Sequence, residues 1–215
     1  MLHDGRFLKK ALMIACPVAL QGMLNTIVNM VDTLMIGGLG STAIAAVGLA
    51  NKVFFVFSLL VFGIVSGGGI LAAQFWGSGD VKNIRKVLGL CVMLAMVGAL
   101  FFVIPAIASP KMVMRIFTTS EGSIELGAKY LRIAALCYPF IALTNVYVAM
   151  LRASNKVVFP VICSCIAIAI NICLNYVLIF GKFGAPTMGV AGAACATLIA
   201  RCIEGSLLSF AINCD

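Results

Sequence analysis

Charged side chains are scarce in this sequence. Only 10% of its 215 residues are charged, whereas 63% are hydrophobic. A soluble domain carries charge on roughly a quarter of its residues, because polar groups must cover its surface in water. With a mean hydropathy of +1.16, the composition excludes a soluble globular domain and predicts an all-α polytopic membrane protein.

The sequence also lacks the residue sets on which most catalysis and metal binding depend. Its one histidine is His3, and its nine cysteines form no CxxC or Cys/His spacing. Nearly all of these cysteines fall inside apolar segments, where cysteine acts as a small packing residue. Because no nucleophile–base set, metal cluster or phosphate loop is visible, we predict that the protein is not an enzyme and uses no cofactor.

Acidic residues are few: 7 Asp and Glu stand against 15 Lys and Arg, for a net charge of +8. The basic residues collect at the N-terminus and in the second and fourth loops between apolar segments, which is the bias of cytoplasmic segments. No basic–aromatic run accompanies them, so nucleic acid is not an expected partner. We predict a multi-pass protein of the plasma (inner) membrane with both termini in the cytoplasm.

What the sequence does contain is six apolar segments, each near the ~20 residues that a bilayer crossing needs. Glycine, proline or polar breaks separate them. One break, "SPKMVMRIFTTSEGSIE", predicts an amphipathic interfacial loop. An even number of crossings gives any following copy of the unit the same orientation. The predicted spans are 11–36, 44–75, 87–109, 124–151, 157–180 and 188–212.

The first segment carries one polar stripe on an otherwise apolar helix. At ~100° per residue, Asn25, Asn29 and Asp32 fall within an arc of about 60°, and Gln21 extends the stripe. Such groups must face protein or water, because lipid would leave them unsatisfied. Asp32 lies five residues before Gly37, so a polar contact near the helix end is one reading. An ionisable residue inside the membrane favours a functional site.

Further polar residues lie in the fifth and sixth segments. Asn171 and Asn175 share a helix face at i,i+4, and Thr197 lies on a small-residue face. Hydrogen bonding between helices would explain the asparagines equally well. With Asp32, these residues supply one carboxylate, two amide carbonyls and a hydroxyl, a set that suits a monovalent cation such as Na⁺ better than Ca²⁺ or Mg²⁺. The carboxylate could instead bind a proton.

Two other features accompany this set. Pro17, in the same helix as Asp32, removes a backbone hydrogen bond and predicts either a hinge or a helix start near the interface. Glu204, in the sixth segment, is placed to pair with Arg201 at i,i+3. Aromatic and methionine side chains are candidates to line an apolar cavity, although core or lipid packing explains them as well: Phe54, Phe55, Phe57, Tyr138 and Met150.

Several stretches together resemble the N-terminal half of a multidrug and toxic compound extrusion (MATE) transporter. They are "PVALQGMLNTIVNMVDTLMIGGLGSTAIAAVGLA", "AQFWGSGD", "YLRIAALCYPF" with "AMLRASNK", and "NICLNYVLIFGKFGAPTMGVAGAACAT". No single piece is a strong signature, but their order and spacing are specific. The resemblance implies a twelve-helix fold of two six-helix lobes, and export of organic cations or xenobiotics against Na⁺ or H⁺.

The resemblance also implies roles for particular residues. The family's N-lobe ion site corresponds to Asp32, Asn171, Asn175 and Thr197, with Na⁺ or H⁺ as the coupling ion. Some members carry Asp where this chain has Asn175, so here the site keeps one carboxylate. Gln21, Asn25, Asn29 and Tyr138 are candidates for the cavity lining.

The length corresponds to one lobe only. We expect residues 1–215 to form a single six-helix lobe whose partner is a C-terminal lobe or a second copy of the chain, with membrane lipid around it. One alternative is a lipid-linked oligosaccharide flippase, which would need several basic residues for a pyrophosphate; Lys52 is the main basic candidate within a span. The other alternative is a non-transporting, truncated membrane fragment.

Overall fold

The computed structural model describes residues 5–154, 156–184 and 186–213, and every regular element in these ranges is helical. The predicted all-α fold class is therefore confirmed. In chain order the α-helices are α1 (Gly5–Gly37), α2 (Ser41–Gly77), α3 (Val81–Ala108), α4 (Pro110–Arg115), α5 (Glu121–Ala134), α6 (Tyr138–Ala153), α7 (Val158–Phe180) and α8 (Val190–Asn213).

Five helical stretches are long and apolar enough to cross a bilayer among the described residues. They are α2, α3, the combined stretch Glu121–Ala153, α7, and Val190–Phe210 of α8. The predicted segments from 44–75 onward overlap these five. The first predicted segment lies within α1, of which several side chains, including those of Pro17 and Asn25, are outside the described part.

The fourth predicted segment is not one continuous α-helix. A 3₁₀ turn, Ala135–Cys137, separates α5 from α6, and Pro139 stands at the start of α6. Proline has no N–H and its ring crowds the carbonyl four residues earlier, which here belongs to Ala135. Tightening the backbone to 3₁₀ at this point resolves the conflict and leaves the crossing in two parts.

The break at residues 109–125 also differs from the predicted loop. Its first part is the short helix α4, which begins with Pro110, a residue whose fixed φ suits the first turn of a helix. Met112 and Ile116 are highly exposed, whereas Met114 is fully buried against the rest of the protein. The segment is therefore an amphipathic helix followed by a turn.

Three buried apolar clusters form the core of the described residues, and the third is a small one that joins α6, α7 and α8 at Val148, Cys163 and Leu208. In the first, α2, α3, α5 and α6 enclose Phe57, whose ring stacks on that of Tyr138 at a centroid distance of 4.6 Å. In the second, residues of α1, α2, α7 and α8 meet around Ile36 and Ile179. The helices α7 and α8 approach closely at Gly192, where a Cβ atom would lie 2.7 Å from the carbonyl oxygen of Leu178. These contacts bring the polar faces of α1, α7 and α8 together.

Candidate ion-binding site

The polar residues predicted on three separate helices lie side by side. The amide nitrogen of Asn175, on α7, donates to Asp32 Oδ1 at 2.5 Å and to Asn171 Oδ1 at 3.2 Å. Asn171 donates in turn to Thr197 Oγ1 on α8, at 3.3 Å. The hydroxyl of Thr197 donates to the carbonyl oxygen of Ala193 at 3.0 Å. One hydrogen-bonded chain thus joins α1, α7 and α8.

The side-chain oxygen of Asn175 takes no part in this series of hydrogen bonds. Its side chain is fully buried, and its Oδ1 is enclosed without a hydrogen-bond partner among the described residues. A buried carbonyl without a partner is costly, because no hydrogen bond compensates for the loss of its hydration. Beside a carboxylate, such an oxygen fits a small cation, which accepts electron pairs from hard oxygen ligands.

The other described residues of the predicted polar stripe on α1 do not all lie at the Asp32 site. Asn29 is exposed and lines the same cavity as Asp32. Gln21 is buried but does not extend the site around Asp32: it donates to Ser164 Oγ at 2.7 Å and accepts from Arg152 Nη2 at 2.5 Å. A stripe three turns long exceeds what one site can use, so Gln21 belongs to a separate cluster. The side chains of Asn25 and Pro17 lie outside the described residues.

That second cluster is centred on Glu204, which is only 2% exposed. Its Oε1 accepts a hydrogen bond from Ser164 at 2.7 Å, and its Oε2 accepts one from Arg201 Nη1 at 2.6 Å. The i,i+3 spacing predicts the Arg201–Glu204 pair, and the structure confirms it. Nothing in the sequence pointed to Ser164 or Arg152, because a single serine in an apolar helix and an arginine at a helix end carry no pattern.

Three adjoining cavities connect the two clusters. One of about 280 Å³ is lined by Asp32, Asn171, Thr197 and Glu204 among others. A second, of about 400 Å³, shares Asp32 and Thr197 with it, and a third, of about 650 Å³, shares Glu204 and Ser164. Arg201 lines all three. The Arg201 side chain therefore faces both the cavities around Asp32 and the cavities around Glu204.

Some of the residues predicted to line an apolar cavity do so, and the others lie in the core. Phe54, Phe55 and Tyr138 line the 400 Å³ cavity, although Tyr138 is only 2% exposed and mainly fills the core. Phe57 and Met150 are core residues. Lys52, the basic residue considered for a pyrophosphate, lines none of the three cavities, whose basic residues are Arg152 and Arg201.

The fold and site define a class of protein: a helical, polytopic membrane protein with a half-buried carboxylate beside amide and hydroxyl groups of neighbouring helices. A family model, MatE, matches residues 17–177. The chain therefore belongs to the MatE family, whose members are transporters and not enzymes. The matched range contains Asp32, Asn171 and Asn175, and Thr197 lies beyond its end.

Individual relatives agree with the family match. The chain is 32% identical to the probable multidrug resistance protein NorM of Thermotoga maritima over 206 residues, which are 95% of this chain and 44% of NorM. It is likewise 32% identical to the probable multidrug resistance protein YoeA of Bacillus subtilis, covering 85% of this chain and 40% of YoeA. The chain thus spans less than half the length of these relatives.

Solved structures show the same fold. A MOP superfamily transporter from Pyrococcus furiosus superposes with a TM-score of 0.86 at 22% identity, over 95% of this chain and 44% of that protein. A multidrug resistance MATE family transporter in an outward-facing conformation gives the same TM-score, identity and coverage. The eight-helix arrangement described above is therefore that of about half of a MATE transporter.

Proposed function

We propose that this chain forms one lobe of a secondary active transporter that exports organic cations or other xenobiotics by antiport with Na⁺ or H⁺. Asp32 is the coupling carboxylate, and Asn171, Asn175 and Thr197 complete its site. The observation that carries this proposal is the buried Asn175 Oδ1, which has no hydrogen-bond partner within the described part of the chain and lies on the amide that donates to the Asp32 carboxylate. Membership of the MatE family and the names of the relatives support the direction of transport.

The position of Asp32 suits an exchangeable ion. It is half-buried and lies about a turn and a half before the end of α1 at Gly37. A bound Na⁺ or proton neutralises the carboxylate, which lowers the cost of exposing that face of α1 to apolar surroundings. Loss of the ion restores the charge and favours a state in which the site is hydrated. The Pro17 hinge in the same helix stays a prediction.

The second lobe is part of the proposal. A transport cleft requires another six-helix unit facing this one, either a C-terminal lobe or a second copy in the same orientation. Membrane lipid surrounds both. The flippase alternative is weaker here, because the 280 Å³ cavity beside Asp32 contains two carboxylates and one guanidinium and therefore repels a pyrophosphate.

Efflux from cells tests the role of Asp32. Cells that express the complete gene with Asp32→Asn should retain ethidium that wild-type cells expel. The matched control is Glu125→Gln, which neutralises an exposed carboxylate paired with Lys129 on α5 and should export at the wild-type rate. Equal efflux by wild type and Asp32→Asn at equal expression would contradict the proposal.

A stability measurement separates the proposal from an inert membrane fragment. The purified chain should melt at a higher temperature in Na⁺, or at lower pH if the proton is the coupling ion, because a ligand of the folded state stabilises it by mass action. Asp32→Asn should abolish the shift. The fragment reading predicts no shift in either protein.

A further inference from the structure

The cavity that joins the two polar clusters carries an excess of one negative charge. Its ionisable lining residues are Asp32, Glu204 and Arg201. Arg201 is paired with Glu204, whereas the hydrogen bond described for Asp32 comes from a neutral amide. Two carboxylates therefore share one guanidinium, and the cavity as a whole lacks one cation.

Along α8, Arg201 is placed between Thr197 and Glu204. Thr197, which belongs to the Asp32 site, lies four residues before Arg201, and Glu204 lies three residues after it. These separations correspond to about 6 Å and about 4.5 Å along the helix axis. The Arg201 side chain remains 36% exposed, while that of Glu204 is 2% exposed. The guanidinium thus has open space around it, in cavities that contain both acids.

We propose that Glu204 is the binding site for the cationic group of the transported substrate, and that Arg201 opens and closes it. While Asp32 holds the coupling ion, Arg201 keeps the contact with Glu204 Oε2 that the structure shows. When the ion leaves, Arg201 turns to Asp32, and the released Glu204 takes an organic monovalent cation. This inference rests on the proposed antiport function and assigns its substrate site.

Charge balance explains why only these two states are favourable. In each of them both carboxylates have one positive partner, so the cavity is neutral. Binding both the coupling ion and an organic cation would leave Arg201 without a carboxylate, and binding neither would leave one acid uncompensated. An unpaired charge in a low-dielectric site is costly. The two cations therefore exclude each other without sharing a ligand.

The groups around Glu204 suit a carboxylate that changes partner. Ser164 donates to Oε1, the oxygen that Arg201 does not occupy, so this bond can hold the carboxylate when Arg201 leaves. Gln21 fixes Ser164 and is itself held by Arg152. The buried hydroxyl of Thr144 lines the same two cavities as Glu204 and has no hydrogen-bond partner among the described residues. It is an additional polar contact for a ligand in this space.

Competition binding with Arg201 variants tests the switch. Ethidium is titrated into the purified 215-residue chain in lipid nanodiscs, with Na⁺ exchanged for K⁺ at constant ionic strength and, separately, with pH varied. In the wild type, the coupling ion should weaken ethidium binding. In Arg201→Gln both carboxylates are free, so the dependence should disappear while ethidium still binds. Arg201→Lys, which keeps the charge, should restore the dependence.

Glu204 is tested by neutralisation. Glu204→Gln should raise the ethidium Kd at least about tenfold, because the cation loses a desolvated charge partner. The melting-temperature shift caused by the coupling ion should become smaller, because Arg201 then has only Asp32 to pair with, and a cooperative melting transition reports that the variant folds. If Glu204→Gln is unstable, Glu204→Asp keeps the charge and should bind ethidium. Four other residues with ionisable side chains line these cavities and are unchanged in every variant: Tyr130, Cys137, Tyr138 and Arg152.

The outcomes distinguish the two proposals. Competition that persists in Arg201→Gln, or ethidium binding within twofold of wild type in Glu204→Gln, would overturn the switch and leave the role of Asp32 intact. Failure of the wild-type chain to bind ethidium and to respond to Na⁺ or pH would contradict both proposals.

Discussion

The amide of Asn175 donates to the carboxylate of Asp32 at 2.5 Å, across 143 residues of sequence. This bond ties the C-terminal part of α1 to the C-terminal part of α7. It also orients the amide so that its oxygen has no hydrogen-bond partner among the residues that the structure describes. In the proposed ion site, Asn175 therefore has two roles: it holds Asp32 in place and it offers an acceptor to the cation.

Replacing Asn175 by Ala should weaken both effects. We expect a loss of about 1–3 kcal/mol in stability, as for a buried hydrogen-bonded polar group, and a smaller rise in melting temperature on addition of Na⁺ or on acidification. Thermal unfolding of the purified chain measures both. Asn51→Ala is the control, because Asn51 is exposed and lines the 400 Å³ cavity without a described bond to Asp32. An unaltered ion response in Asn175→Ala would remove Asn175 from the site.

Much of this site could be predicted from the types of residue and their spacing. The i,i+4 pair on α7 and the carboxylate on α1 are recognisable because lipid leaves few reasons for such groups inside a span. Their pairing across helices followed only from the resemblance to a family. The partner of Gln21 could not be predicted, since a stripe on one helix does not indicate which neighbour faces each of its turns.

The fold shows a similar division. The length of an apolar segment locates a membrane crossing, but it does not predict a break in the helix. The fourth predicted segment tightens into a 3₁₀ turn just before Pro139. Of the cluster around Glu204, the sequence predicts the pair with Arg201 but not the part played by Ser164. That serine is a single polar residue in an apolar helix, and its importance depends on a buried acid in another helix.

Ser164 should be important for the stability of the Glu204 cluster. Its hydroxyl accepts from Gln21 and donates to Glu204, so Ser164→Ala leaves both of these buried groups short of a partner. We expect a loss of about 1–3 kcal/mol, seen as a lower melting temperature. Ser206→Ala, which removes an exposed hydroxyl bonded only to the carbonyl of Cys202, should have little effect. Equal melting temperatures for the two variants would contradict the importance of the cluster.

Gly192 should be intolerant of a side chain. A Cβ atom at this position would lie 2.7 Å from the oxygen and 2.8 Å from the carbon of the Leu178 carbonyl, which are backbone atoms and cannot rotate away. Gly192→Ala must therefore separate α7 from α8, at a cost of about 1–3 kcal/mol. The same separation should reduce the melting-temperature shift caused by Na⁺ or by acidification, because the two helices carry Asn171, Asn175 and Thr197.

Gly48→Ala is the matched control for Gly192→Ala. Gly48 is exposed on α2 and has nothing within 4 Å of an added Cβ. Alanine forms helix better than glycine by up to about 1 kcal/mol, so this variant should melt at or slightly above the wild-type temperature. A Gly192→Ala protein as stable as Gly48→Ala would show that α7 and α8 do not pack as closely as described.

The orientation in the membrane is the remaining prediction, and reporter fusions test it. The basic residues Lys82, Arg85 and Lys86 are exposed on the first two turns of α3, which predicts a cytoplasmic loop between α2 and α3. Green fluorescent protein fused after Gly79 should therefore be fluorescent. Alkaline phosphatase fused after Gly184, between α7 and α8, should be active outside the cytoplasm.

The second fusion also tests whether α5 and α6 cross the membrane together. Between Gly79 and Gly184 the predicted topology has three crossings: α3, the bent stretch Glu121–Ala153, and α7. If the 3₁₀ turn at Ala135–Cys137 made this stretch fold back instead of crossing, only two crossings would remain and residue 184 would lie in the cytoplasm. An inactive phosphatase together with a fluorescent first fusion would show that. It would also place Asp32 and Asn175 at opposite faces of the membrane, which their hydrogen bond does not allow.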